Sequence, residues 1–126
     1  MESMESDSNK RAKESALRER RYAIRYPFTA DAQMLELKSG IRVSGVTSDL
    51  SPGGCFVCTR RPLEVGARVR GTLTYNGRKV EMLAVVRVLK TRVGMGLEFL
   101  DLDPNSQATL LAWIEALPKS RLIDAE

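Results

Sequence analysis

"ARVRGTLTYNGRKVEMLAVVRVLK", residues 67–90, decides the fold. In its first half Val69, Leu73 and Tyr75 fall on one side of an extended chain, and Arg68, Arg70, Thr72 and Thr74 on the other. That period of two belongs to a strand with one buried face. Asn76-Gly77 follows at once, and a type I′ turn needs positive φ at both central positions, which this pair supplies most readily. Residues 78–90 are therefore expected to run back antiparallel as the second strand of a hairpin.

Downstream, "MGLEFL" at 95–100 places Met95, Leu97 and Phe99 on one face and reads as a further strand. Gly94 and Gly96 feed that strand. A phosphate loop would feed a helix N-terminus, so this pair is expected to make a turn or bulge instead. The period then changes: Asp103 suits an N-cap, Pro104 the first helical position, and Leu110, Trp113, Ile114 and Leu117 recur at helical spacing before Pro118. Asp103 as a cap and Asp101 as a solvated neighbour account for both carboxylates without a catalytic pair.

Upstream, "IRVSGVTSD" at 41–49 follows a Ser39-Gly40 turn and is rich in β-branched residues, which suit a pleated strand. Phe56, Tyr75, Phe99 and Trp113 are assigned to the core. The fold class expected is mainly β: a small six-stranded antiparallel β-barrel with a C-terminal α-helix and a flexible basic N-terminal arm.

At 126 residues the chain is about one domain. Residues 1–19 are polar and charged and read as a flexible tail. Tyr26, ahead of Pro27, is biased toward extended backbone where the folded unit begins. The expected division is tail 1–19, barrel domain with closing helix 20–118, and C-terminal tail 119–126. The net charge of +4 is concentrated, because residues 10–25 hold seven lysines and arginines against Glu14 and Glu19. Such a segment points to an anionic partner. Neither a transmembrane run nor a signal-peptide stretch is visible, so no membrane insertion, a cytoplasmic location and reduced cysteines are expected. The chain has no histidine, which excludes triad hydrolysis and histidine general-base chemistry. It is not expected to be an enzyme.

"DLSPGGCFVC" at 49–58 carries two competing chemistries. Cys55-x-x-Cys58 suggests a redox dithiol or half a zinc site. On a strand, however, the two side chains point to opposite faces, with Cα atoms roughly 10 Å apart at about 3.3 Å per residue. That exceeds the disulfide limit of about 7 Å. A structural zinc wants four Cys or His ligands and finds two here, so metal: none, and both cysteines read as small apolar residues. The other half, Asp49 to Gly54, offers acceptors on a turn. Pro52-Gly53 suits a type II turn, and Gly54 would let the backbone approach a bound group. Asp49 and Ser51 would present a carboxylate and a hydroxyl to it, or else bond their own backbone in an ordinary turn. Ahead of the barrel, Arg21 and Arg25 stand four apart and share a side in either helix or strand. Their forks fit guanine edges or phosphate.

R-x-x-x-R at 21–25 followed by D-x-S-x-x-G at 49–54, on a small barrel ending in "GMGLEFLDLDP" and a helix, resembles the PilZ domain family over about residues 20–117. The resemblance implies a bacterial receptor for cyclic di-GMP, with its two guanines and two phosphates, and no other cofactor. It implies Arg21 and Arg25 as contacts to guanine edges and phosphate, Arg20 as a further contact, and Asp49, Ser51, Gly53 and Gly54 on the opposing side. It also implies an adaptor role toward an unidentified effector protein, with ligand binding ordering the arginine arm into a new surface.

Two other functions fit parts of the sequence. A small basic barrel could bind single-stranded nucleic acid, but such barrels expose aromatic stacking platforms, and here only Tyr22 and Tyr26 lie near the basic stretch. A PilZ-like interaction module without ligand is the second.

Overall fold

The computed structural model of the chain describes residues 24–117. Its strands are β1 (Tyr26–Pro27), β2 (Asp31–Glu36), β3 (Arg42–Ser51), β4 (Gly54–Cys58), β5 (Arg68–Tyr75), β6 (Arg78–Lys90) and β7 (Gly94–Leu102), followed by helix α1 (Pro104–Glu115). Every pairing is antiparallel; the order is β3-β2-β5-β6-β7-β4, and β4 pairs back onto β3. Six strands thus close into a barrel, while the short β1 extends the β2 side of β3. The expected architecture of mainly β barrel and C-terminal helix is the one that forms. The basic arm apart from Ile24 and Arg25, the tails at 1–19 and 119–126, and Pro118 lie outside the described residues.

The 67–90 hairpin forms as its turn chemistry dictates. Tyr75 pairs with Arg78, and Asn76 and Gly77 take φ of 54° and 76°, the left-handed values of a type I′ turn. Val69 and Leu73 are fully buried inside the barrel. Tyr75 departs from its core assignment: it is 42% exposed at the strand end. Its ring instead leans on Phe28 (centroids 4.6 Å apart) and meets Trp113 edge-on at 5.8 Å.

Helix α1 closes the end of the barrel where β5 turns into β6. Asp103 caps it, Oδ1 accepting from the Ser106 amide at 2.7 Å, and the Ser106 hydroxyl in turn accepts from the Glu81 amide at 2.9 Å. The cap therefore also ties the helix to β6. Leu110, Trp113 and Ile114 enter the core, and Trp113 stacks on Phe28 at 5.3 Å.

The opposite end is crossed by the loop at 59–67. In the barrel order β4 and β5 stand three strands apart by either route, so this connection must span the mouth. It is pinned along the way by Thr59 N to Val93 O at 3.1 Å, Leu63 N to Met95 Sδ at 3.4 Å and Gly66 N to Val86 O at 2.8 Å. Leu63 is the buried plug.

Candidate ligand-binding groove

A bulge in β3 creates the site. Thr47 pairs with Val57 and Asp49 with Phe56, so Ser48 is an extra residue. Thr47 and Asp49 would share a face in a regular strand; the extra residue reverses the parity. Thr47 points inward and Asp49 outward, onto the outer wall of the barrel beside Phe56.

Thr47 then fixes the incoming chain. Its hydroxyl donates to the Phe28 carbonyl at 2.5 Å and accepts from the Ala30 amide at 2.9 Å, while its own amide donates to the Ala30 carbonyl at 2.9 Å. These bonds fill the gap between β1 and β2. Pro27 is thereby held opposite Asp49, and Arg25 lies two residues before it.

The Arg25 guanidinium grips Asp49 at two points, Nε to Oδ1 at 3.0 Å and Nη2 to Oδ2 at 2.9 Å. The Ser48 hydroxyl adds a third bond to Oδ2 at 3.0 Å. Arg25 and Asp49 were expected on opposite sides of a ligand; the fold instead joins them directly on one wall. The pair is asymmetric, with the arginine side chain 52% exposed and the aspartate 11%. Arg20 and Arg21 fall outside the described residues.

The turn that follows works differently from its sequence signature. The Ser51 hydroxyl accepts from the amides of Gly53 (3.3 Å) and Gly54 (3.1 Å) and donates to the Gly54 carbonyl (3.3 Å). Its hydrogen-bonding capacity is spent on the loop it starts. Gly53 is not among the described residues of positive φ, so Pro52-Gly53 does not make the expected type II turn. The Gly53 carbonyl accepts from the Phe99 amide at 2.8 Å. Gly54 is needed for β4 to approach β7: a Cβ there would overlap the Leu97 carbonyl oxygen. Close approach is therefore required of Gly54, to the neighbouring strand.

Phe56, assigned to the core from sequence, lines the groove instead. Cys55 and Val57 on either side of it belong to the core, which puts Phe56 on the outer wall by alternation. Its ring is nevertheless buried because it lies across Gly94 and Gly96, where no side chain intervenes. Gly96 pairs directly with Phe56 in β7, and β6 bulges at Arg87 where it faces this stretch. The Lys90 ammonium sits 5.4 Å from the centre of the Phe56 ring. Alternation outward from Cys55 was the one sequence signal that pointed to Phe56.

Together these residues enclose an open groove of ≈ 1460 Å³. Arg25, Asp49, Ser51, Gly53 and Gly54 line it together with Arg87, Lys90 and Glu98, and Arg87 Nε meets Glu98 Oε1 at 2.6 Å. The groove thus offers arginine forks, a carboxylate and an aromatic face, suited to a polar anionic ligand with planar parts.

The two cysteines separate as the strand parity requires. Cys55 points into the core, and burial pushes its thiol from 9.0 up to about 12, with nearby Asp49 adding to the shift. Cys58 is half-buried on the outer face. Among the described residues no cluster of three potential ligands could hold a metal ion.

A family model described as "PilZ domain" matches residues 19–116. Three solved structures resemble the fold. The PilZ domain of CeSA from a cellulose-synthesizing bacterium has TM-score 0.56 and 22% identity, covering 72% of this chain and 94% of that one. The PilZ domain of YcgR from Escherichia coli, solved with c-di-GMP, has TM-score 0.61 and 16% identity, covering 77% and 91%. The Bacillus subtilis inhibitor of motility MotI/DgrA has TM-score 0.59 and 21% identity, covering 71% of this chain but only 47% of its own. Comparison with curated protein sequences gives no match.

Proposed function

The chain belongs to the PilZ domain family, and from that premise we propose that it is a bacterial, cytoplasmic receptor for cyclic di-GMP acting as an adaptor, not an enzyme. The observation that carries the proposal is the two-point Arg25–Asp49 pair at the edge of the groove, built from the last arginine of R-x-x-x-R and the aspartate of D-x-S-x-x-G. YcgR, a family member of the same fold, is solved with this ligand.

Cyclic di-GMP needs donors for its phosphates and guanine O6 and N7, and acceptors for guanine N1–H and the 2-amino group. The pair with Asp49 uses one N–H each of Arg25 Nε and Nη2, leaving three guanidinium N–H groups for the ligand. Asp49 Oδ1 accepts a single bond and retains a lone pair. Arg21 and Arg20 supply the further forks on the ligand. Ser51, Gly53 and Gly54 act by holding the turn that frames it. The groove exceeds the roughly 300–1,000 Å³ usual for drug-sized ligands, in keeping with a dinucleotide.

Binding fixes Arg20 and Arg21 against the barrel and so changes the surface around the groove, which a downstream effector protein reads. Among the described residues no helix is long and apolar enough to cross a membrane.

Titration calorimetry with cyclic di-GMP tests the proposal. Saturable binding that weakens on replacing Arg21 or Arg25 is expected; absence of heat with the intact chain overturns it. Binding to oligonucleotides with steep salt dependence and no preference for the dinucleotide would favour a nucleic-acid role instead.

A further inference from the structure

The barrel end opposite α1 is built from three segments: the turn at 37–41, the loop at 59–67 and the turn at 91–93. Backbone bonds join them into one surface, Thr59 N to Val93 O at 3.1 Å and Leu37 N to Arg68 O at 3.0 Å. Two properties of this surface have no use inside the molecule.

The first is apolar exposure. Leu37 is 46% exposed, Ile41 53%, Val93 54% and Val65 60%, four aliphatic side chains gathered at one pole. Single exposed aliphatics are ordinary, whereas several on the loops of one barrel end, beside cations that are unpaired among the described residues, point to an interaction surface. The second is charge. Arg60, Arg61 and Arg92 stand on the loops with Lys38, and Arg42 and Arg68 begin the adjoining strands; against them stand Glu64 in the loop and Glu36 at the end of β2. All of these cations are exposed, and among the described residues none of them forms an ion pair.

We propose that this pole docks an acidic face of a partner protein, one that presents carboxylates around aliphatic groups. The proposal rests on the adaptor reading for the existence of an effector, and adds where and by what chemistry that effector binds. Arginine dominates the cations here, and its planar fork pairs with carboxylates at two points. Arginine is also enriched in protein interfaces, whose buried centres are apolar. Single-stranded nucleic acid would call for aromatic platforms, yet the aromatic cluster of Phe28, Tyr75 and Trp113 lies at the helix-covered end. Membrane-surface binding likewise favours aromatic anchors, which this pole lacks.

The test is an amide-resolved NMR titration of the full ¹⁵N-labelled chain with a synthetic peptide alternating glutamate and leucine. Parallel titrations use oligo-glutamate, oligo-dT and phosphatidylglycerol vesicles. Saturable shifts confined to residues 37–41, 59–67 and 91–93 are expected, with oligo-glutamate binding at least tenfold more weakly than the mixed peptide. The pair Arg60→Glu with Arg92→Glu should weaken the peptide at least tenfold, and Ile41→Ser with Val65→Ser severalfold, both with the folded spectrum retained. Shifts elsewhere, equal binding of oligo-glutamate, or tighter binding to oligo-dT or vesicles overturns the proposal. Cyclic di-GMP titrated into Arg60→Glu with Arg92→Glu should bind as to the unaltered chain. A chain that takes the peptide but not the dinucleotide would refute the receptor reading alone.

Discussion

Arg25 and Asp49, 24 residues apart, close a two-point ion pair in which the aspartate is buried on the barrel wall and the arginine remains half in solvent. Removing the arginine outright would leave the buried carboxylate with the Ser48 hydroxyl as its partner, at a cost of about 1–3 kcal/mol, whereas lysine keeps a positive charge beside it. Arg25→Lys should therefore barely shift the denaturation midpoint while weakening cyclic di-GMP by about 1–3 kcal/mol, the scale of a bidentate guanine contact that lysine cannot make. Calorimetry and urea denaturation on one sample separate the two effects. A loss of stability matching the loss of affinity would mean that Arg25 serves the fold.

Thr47 touches no groove wall, yet its hydroxyl satisfies both the Phe28 carbonyl and the Ala30 amide. Thr47→Val keeps the shape and strands both groups, at a cost of about 1–3 kcal/mol for each left unpaired in the interior. The stretch carrying Arg25 loses its anchor. Lower affinity is expected alongside lower stability, whereas Thr47→Ser, which keeps the hydroxyl, should recover most of the affinity.

Gly54→Ala drives a methyl into the Leu97 carbonyl oxygen, so β4 and β7 must part. Overpacking against backbone of this kind costs about 1–3 kcal/mol. Its signature is faster amide exchange at paired positions of β4 and β7, present without any ligand. Protection unchanged from the parent chain would return Gly54 to a direct ligand role.

The two thiols differ in burial and should react with reagents differently. Cys55 is shielded and poorly ionised, so a thiol reagent at pH 8 should label Cys58 alone until the chain unfolds. The folded thiol holds its proton to about 12 against 9.0 when unfolded. That contribution to stability is whole below about pH 9 and is lost as pH rises from there toward 12. Denaturation midpoints at pH 8 and pH 10.5 should diverge more in the parent than in Cys55→Ala. Cys55→Ser with Cys58→Ser should leave affinity for cyclic di-GMP nearly unchanged.

The hairpin at 67–90, the Asp103 cap and the opposed cysteines were legible because each depends on neighbours in sequence. β2 carries no such local signal: in "DAQMLE" neither buried residue, Ala32 nor Met34, is β-branched or aromatic, and the strand is set by β3 and β5 on either side. The bulge at Ser48, which turns Asp49 outward, has no local signature either. Ser51 and Gly54 stood in the right motif but owe their place to the turn and to β7, contacts set only when the barrel closes. The loop at 59–67 acquires its meaning from barrel order, a property of the whole sheet.

Closure of β4 onto β3 leaves every barrel strand hydrogen-bonded on both sides. Where strands pair on both sides the wall offers no row of free amides and carbonyls for another chain to extend, which disfavours strand addition and edge-to-edge aggregation there. Whatever associates with the barrel wall must recognise side chains. Its choice of partner can then be altered by surface substitutions alone, with the hydrogen-bonded frame beneath left as it is.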